Sequence, residues 1–216
     1  MDKTTSLKNE NSGQKTIFIT GIGTEVGKTV CSAILTKYFN AEYWKPVQSG
    51  DLDFSDSMKI QSWAGKNTIC HAETYRLKLA ASPHHSAKEE GITINLNNFT
   101  LPETSAHLIV EGAGGLMVPL NDEDFIIDLI QKLNIPAALV VKNYLGCINH
   151  TLLSIKALEQ RKIRLKYIIL NGNFPTDTEN IILKNIQPQT TIVRIPHLEK
   201  ITTENIETAS KQLAIL

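Results

Sequence analysis

Apolar runs of four to seven residues alternate along this chain with longer segments whose apolar positions recur at helical spacing. The runs at 16–19, 107–111, 135–141, 166–171 and 191–195 are nearly continuous in apolar residues. That pattern predicts strands buried on both faces. A shorter run at 43–47 is broken by Pro46 and predicts a strand that ends there. Between the strands, the spacing predicts helices over 30–39, 56–64, 125–133, 149–160, 179–185 and 203–213, the second closed by Gly65. A segment at 72–77 and a loop at 81–85 complete the middle of the chain. Strands alternating with helices imply an α/β fold: a doubly wound, mostly parallel sheet with helices on both faces. No internal repeat or low-complexity block interrupts the alternation. Residues 1–14 are polar, with no apolar core, and read as a flexible tail, leaving 15–216 as a single domain.

Length and composition narrow the function. The 216 residues are enough for one sizeable core. Lysine plus arginine and aspartate plus glutamate each number 22, so the formal net charge is zero. That balance argues against a general nucleic-acid or anionic-membrane surface. No apolar stretch approaches the roughly 20 residues of a membrane span. Cys31, Cys70 and Cys147 are odd in number and far apart, with no disulfide or metal spacing, which suits a reducing cytoplasm.

The segment Thr20-Gly21-Ile22-Gly23-Thr24-Glu25-Val26-Gly27-Lys28-Thr29 joins the first strand to the first helix. Strand, glycine-rich loop, Gly-Lys-Thr and helix together make a phosphate cradle. Glycines let the backbone wrap closely, successive N–H groups point inward, and the helix N-terminus adds a favourable dipole. Lys28 supplies a charge to the outer phosphates and Thr29 a hydroxyl to Mg²⁺. The strict pattern requires glycine where this chain has Ile22; Gly21 comes one residue early and Gly23 one late. The loop is therefore a variant.

In such sheets, ligands bind beyond the carboxyl ends of the strands. That rule brings several loops to one edge. Glu111 ends an apolar strand and is followed by Gly112, Ala113, Gly114 and Gly115. Its carboxylate can reach phosphate-bound Mg²⁺, while the glycines admit a substrate; the alternative is a capping or solvated acid. Asp56 precedes a predicted helix, so it is either an N-cap or a second metal ligand. Lys45 precedes Pro46 and is a rigidly held cation for an anionic intermediate, or a surface lysine. Ser49 reaches the same ligand or forms the turn. His84 and His85 are adjacent and make a poor metal pair. Cys147 has no base beside it and reads as packing. Trp44 and Trp63 read as core.

Together these segments resemble the dethiobiotin synthase family. The motifs that carry the resemblance are Thr24-Glu25-Val26-Gly27-Lys28-Thr29, Lys45-Pro46-Val47-Gln48-Ser49-Gly50, Ser55-Asp56, Ser82-Pro83-His84, Val110-Glu111-Gly112-Ala113-Gly114-Gly115 and Leu145-Gly146-Cys147-Ile148-Asn149-His150. They run in order from about Thr16 to near the C-terminus. The resemblance implies ATP- and Mg²⁺-dependent carboxylation and ring closure of 7,8-diaminopelargonate with CO₂, through a carbamate and a carbamic-phosphoric anhydride. It implies that Lys28, Lys45, Thr24 and Ser49 carry the chemistry. Glu25, Val26, Gly27, Lys28, Thr29 and Val30 would hold the nucleotide phosphates. Asn171, Pro196, His197 and Leu198 would hold the base. Thr29, Asp56 and Glu111 would be the Mg²⁺ set. Thr24, Lys45, Ser49, Pro83 and Gly114 would line the substrate, and Gly146, Cys147, Ile148 and Asn149 would reach the substrate of a second subunit in a homodimer.

The family usually has Thr-Asp where this chain has Ile22-Gly23. Lys142-Asn143-Tyr144 is also unusual, and Asn173 competes with Asn171 as the base reader. Two other readings share this loop. A partitioning-type switch ATPase of the Min or Par kind wants a second lysine early in the loop, where Ile22 and Gly23 stand. A cobyrinate-type amide synthase needs an ammonia source for which this chain has no room. No Asn-Lys-x-Asp guanine signature occurs.

Overall fold

The computed structural model describes residues 15–213; the expected tail at 1–14 and residues 214–216 lie outside the described residues. In chain order the strands are β1 (Thr16–Gly21), β2 (Glu42–Trp44), β3 (Val47–Ser49), β4 (Cys70–His71), β5 (Tyr75–Leu77), β6 (Leu108–Gly115), β7 (Ala137–Lys142), β8 (Leu165–Asn171) and β9 (Thr191–Ile195). The helices are α1 (Lys28–Phe39), α2 (Asp56–Ala64), α3 (Pro83–Glu89), α4 (Ile126–Leu133), α5 (Cys147–Gln160), α6 (Thr176–Leu183) and α7 (Thr203–Gln212).

Seven strands form one sheet in the order β4-β2-β6-β1-β7-β8-β9, and every pairing in it is parallel. The expected doubly wound architecture is present. From β1 the chain crosses over β6 to reach β2; from β6 it crosses β1 the other way to reach β7. Right-handed crossovers in opposite directions put α1 and α4 on opposite faces. α1 packs with α2 and α7, and α5 with α6. With a helix layer on each side, residues Ala137–Val141 of β7 are all fully buried. The reversal of winding around β1 and β6 opens a crevice at their carboxyl ends.

The structure differs from the sequence reading in three informative places. The strand at 43–47 is two strands. β2 belongs to the main sheet, whereas β3 pairs with β5 in a separate two-stranded parallel sheet. Lys45 and Pro46 are the link where the chain leaves one sheet for the other. The glycines after Glu111 are strand rather than turn, because β6 runs on to Gly115 beside Gly21 of β1. A Cβ on Gly112 would lie 2.7 Å from the Phe18 ring, so only glycine lets these strands approach. The loop at 81–85 contains the start of α3, with Pro83 in its first turn and Ser82 before it. Proline there was a helix-start signal, since the N–H it lacks has no intrahelical partner at that position.

Candidate active site

The carboxyl ends of β1, β2 and β6 deliver their loops to one cleft of about 750 Å³. Thr24, Glu25, Gly27, Lys28, Thr29 and Val30 form one wall, and Lys45, Ser49, Asp56, Pro83, Glu111 and Gly114 line the remainder. The cradle explains its own departure from the strict pattern. A Cβ on Gly21 would sit 2.5 Å from Val26 Cγ2, so the close approach that demands glycine occurs one residue early. Ile22 is buried in the core, and nothing lies within 4 Å of a Cβ on Gly23. Gly27, with φ of 91°, is the N-cap of α1, and no acidic side chain occupies that helix's first turn. The positive end of the helix therefore faces the cleft with no acidic side chain of its own to offset it.

Charged groups meet on the floor. Lys45 Nζ lies 2.7 Å from Asp56 Oδ2 and 3.2 Å from Glu111 Oε1, and donates to the Gly112 carbonyl at 3.2 Å. Glu111 also accepts from Thr29 Oγ1 at 2.9 Å and from the Tyr43 hydroxyl at 3.0 Å. Both Lys45 and Glu111 are almost completely buried. Such charges persist only when paired and hydrogen-bonded. Burial opposes the charge on Lys45, but Glu111 and Asp56 outweigh it and hold the ammonium above its usual range. Burial likewise opposes the charge on Asp56, and Lys45 with Lys59 overcomes it, bringing the carboxyl down to about 2. Lys28 is different. Burial lowers it to about 8, only partly offset by Glu111, and its ammonium donates to the Gly23 carbonyl at 3.1 Å.

Asp56 is not the helix cap. Ser55 is the N-cap of α2 and accepts from the Met58 N–H, leaving the Asp56 carboxylate free to face the cleft. Asp56 and Glu111 bring carboxylate oxygens to one ammonium, and the Thr29 hydroxyl joins them through Glu111, a set of hard oxygen donors that suits a divalent cation. Among the described residues no group of three or more His, Cys, Asp or Glu side chains gathers to hold a metal. An ion here would thus complete its shell with phosphate oxygens and water. Ser49 Oγ is buried without a hydrogen-bond partner.

Other expected residues lie outside this cleft. Asn171 ends β8, and its Nδ2 donates to the Val26 carbonyl at 2.9 Å, behind the phosphate loop. Its other amide hydrogen and its carbonyl oxygen take no part in that contact. Pro196, His197 and Leu198 follow β9, whose last residue, Ile195, pairs with Asn171. Gly146, Cys147, Ile148 and Asn149 form the start of α5, with Cys147 buried and Asn149 exposed, and none of them lines the cleft. A second hollow of about 370 Å³ separates the phosphate loop at Ile22–Thr24 from His150 and Leu153 of α5. Around this side Met117, Leu145 and Leu153 are exposed by 59%, 103% and 60%.

Sequence reasoning missed Tyr43, Lys59 and the cleft-lining role of Trp63. The Asp56 to Lys59 spacing of three on a helix was the one available signal. Trp44 is core, as read.

A parallel sheet, a glycine-lined loop at its central strand and Lys-Thr at the following helix define a P-loop nucleotide-binding protein. Residues 15–205 match the AAA domain family. The fold is similar to that of a ParA family ATPase from Chlorobium tepidum, with a TM-score of 0.54 and 14% identity, covering 91% of this chain and 90% of that one. At that identity the likeness concerns fold alone. Sequence is more particular. The chain is 46% identical over 192 residues to the ATP-dependent dethiobiotin synthetase BioD of Cytophaga hutchinsonii, covering 88% of this chain and 92% of that protein. It is 48% identical over 171 residues to the protein of the same name from Christiangramia forsetii, covering 79% and 82%. The chain belongs to the dethiobiotin synthetase family.

Proposed function

We infer that this chain is an ATP-dependent cyclo-ligase that makes dethiobiotin in biotin biosynthesis, using the cleft between the phosphate loop and β6. The observation that carries this assignment of the site is Lys45, a buried ammonium held between two carboxylates beside Lys28 and Thr29. In this reading one amine of 7,8-diaminopelargonate takes up CO₂ as a carbamate. The carbamate oxygen attacks the γ-phosphorus of ATP and releases ADP. The second amine then attacks the carbamic-phosphoric anhydride, closing the urea ring and expelling phosphate. Each step carries anionic oxygen, and no residue forms a covalent bond.

The chain's contribution is positioning and charge. Lys28 and the N–H groups from Glu25 to Val30 hold the phosphates. Lys45, Thr24 and Ser49 hold the carbamate and amine, with Pro83 and Gly114 along the substrate. The buried, unpartnered Ser49 hydroxyl supports that assignment. Asn171, Pro196, His197 and Leu198 receive the base. Thr29, Asp56 and Glu111 would hold Mg²⁺, which neutralises phosphate charge when bound.

The active unit in this reading is a homodimer. Gly146, Cys147, Ile148 and Asn149 of each subunit would meet the substrate tail in the other's cleft. Their position outside their own chain's cleft and the exposed apolar Met117, Leu145 and Leu153 support it. No helix among the described residues is long and apolar enough to cross a membrane. The free thiols of Cys31, Cys70 and Cys147 agree with a cytoplasmic home. The test is to incubate purified protein with diaminopelargonate, bicarbonate, Mg²⁺ and ATP, and to seek the cyclic urea by mass spectrometry. Phosphate release that needs neither diamine nor CO₂ would reject the assignment.

A further inference from the structure

The Asp56 carboxylate has an ammonium on each oxygen. Lys45 takes Oδ2 at 2.7 Å and Lys59 takes Oδ1 at 3.1 Å. The two lysines are held very differently. Lys45 is buried and has three anchors: Asp56, Glu111 and the Gly112 carbonyl. Lys59 keeps 22% of its side chain exposed and has only Asp56 and, at 3.8 Å, the largely exposed Asp51. Its place is also unfavourable for the helix. Lys59 is the fourth residue of α2, close to the positive end of the dipole, where a cation costs rather than contributes stability. Lys59 lines the same cleft as Lys28 and Thr29. A weakly anchored cation on a carboxylate, at a helix end that repels it, is the group a stronger cation displaces.

We propose that Lys59 is a placeholder cation, which holds Asp56 when no nucleotide is bound and competes there with a divalent metal until nucleotide phosphates draw it away. The inference rests on the reading of Asp56 as a metal ligand. Its consequence is linkage. Metal alone must displace Lys59 with no compensation, whereas metal arriving with a nucleotide releases Lys59 to a new anionic partner. Metal and nucleotide then bind more tightly together than apart, and the coupling is reciprocal. Lys59 is thus a positioning residue for the metal step rather than a catalytic one.

The probe is Mn²⁺, followed by electron paramagnetic resonance, with and without a non-hydrolysable ATP analogue. In Lys59→Met the competitor is gone. Affinity for Mn²⁺ alone should rise roughly fivefold, the value of one partly exposed ion pair, and metal–nucleotide coupling should shrink by the same factor. Lys59→Arg keeps the charge and should restore wild-type coupling. Lys59→Gln repeats the neutral test should the methionine variant not fold. Unchanged or weaker binding of Mn²⁺ alone by the neutral variants, or an arginine variant that behaves like methionine, would overturn the proposal. Asp56→Asn separates the underlying reading: if it leaves Mn²⁺ binding in the presence of the analogue unchanged, Asp56 is not the ligand, whatever Lys59 does.

Discussion

Two strand-to-helix turns stand side by side in this molecule, since β1 and β7 are neighbours in the sheet. Each ends in a left-handed glycine that caps the next helix: Gly27, with φ of 91°, before α1, and Gly146, with φ of 104°, before α5. The first turn is packed from behind by Asn171 and faces a cleft lined by fixed charge. The second carries Leu145 fully exposed and Asn149 exposed, outside the cleft that the first turn faces. One backbone device therefore serves two ends. Where the chain supplies its own surroundings the turn faces a charged cleft; where it does not, the turn lies open in the single chain, as the proposed homodimer requires.

Removing charge from the finished side should have the largest effect. Lys45→Met should lower cyclisation by about a hundredfold, the usual ~3 kcal/mol of one transition-state charge contact, while nucleotide binding changes little. Steady-state rates and equilibrium nucleotide titration check both halves. Near-normal turnover by the folded variant would move the chemistry away from this wall.

The unfinished side is tested by mixing. Lys45→Met and a severely impaired Asn149 variant are each poor alone. After random exchange, half the dimers are mixed and each has one intact site, so activity should recover to about a quarter of wild type. No recovery after demonstrated exchange would show that the second turn serves no partner.

Asp56→Asn sharpens the metal assignment. Because Ser55 caps α2, the substitution leaves the cap intact and removes only charge. The Mg²⁺ concentration for half-maximal turnover should rise about tenfold, one unit of lost carboxylate attraction. A Mg²⁺ titration of activity reads it directly.

The smallest effect is one of pH. In the empty protein Lys28 is lowered to about 8 from its usual 10.5. Phosphate favours the charged lysine, so below pH 8 nucleotide affinity should be flat. Above it, binding must take up a proton, and affinity should fall by up to tenfold per unit. Lys28→Met should bind weakly without that alkaline limb. The sign for stability is opposite. Between about 8 and 10.5 the unfolded chain holds more protons, so this group makes the empty protein more stable as pH rises. Calorimetric titration and melting curves across this window test the pair.

The finished turn was readable in the sequence because its parts are local. Strand, glycines, Lys28 and Thr29 lie within one stretch, and Glu111 follows a run that only a buried strand explains. The role proposed for the second turn rests only on family resemblance, since nothing within 145–149 points to a second chain. Tyr43 and Lys59 were missed for a further reason. A buried tyrosine and a helical lysine have ordinary local roles, and theirs arise only when β2, β6 and α2 converge on one carboxylate pair. The glycines at 112–115 misled in the reverse direction. They suggest a turn by composition, but Gly112 and Gly115 are crowded by Phe18 and the Gly21 carbonyl of the neighbouring strand, and Gly114 has a φ of 62° with Val118 close by.

The displaced glycine at the head of the phosphate loop bears on how such loops are recognised. A text pattern that insists on glycine at position 22 rejects this chain, although the loop has its crowded glycine at Gly21, against Val26 and the Gly23 carbonyl. Letters at fixed offsets are a proxy for crowding between atoms, and the proxy fails when the crowded position stands at another offset. A search phrased as a steric question, asking where a methyl group would collide, would accept this loop and reject many glycine-rich turns that only spell correctly.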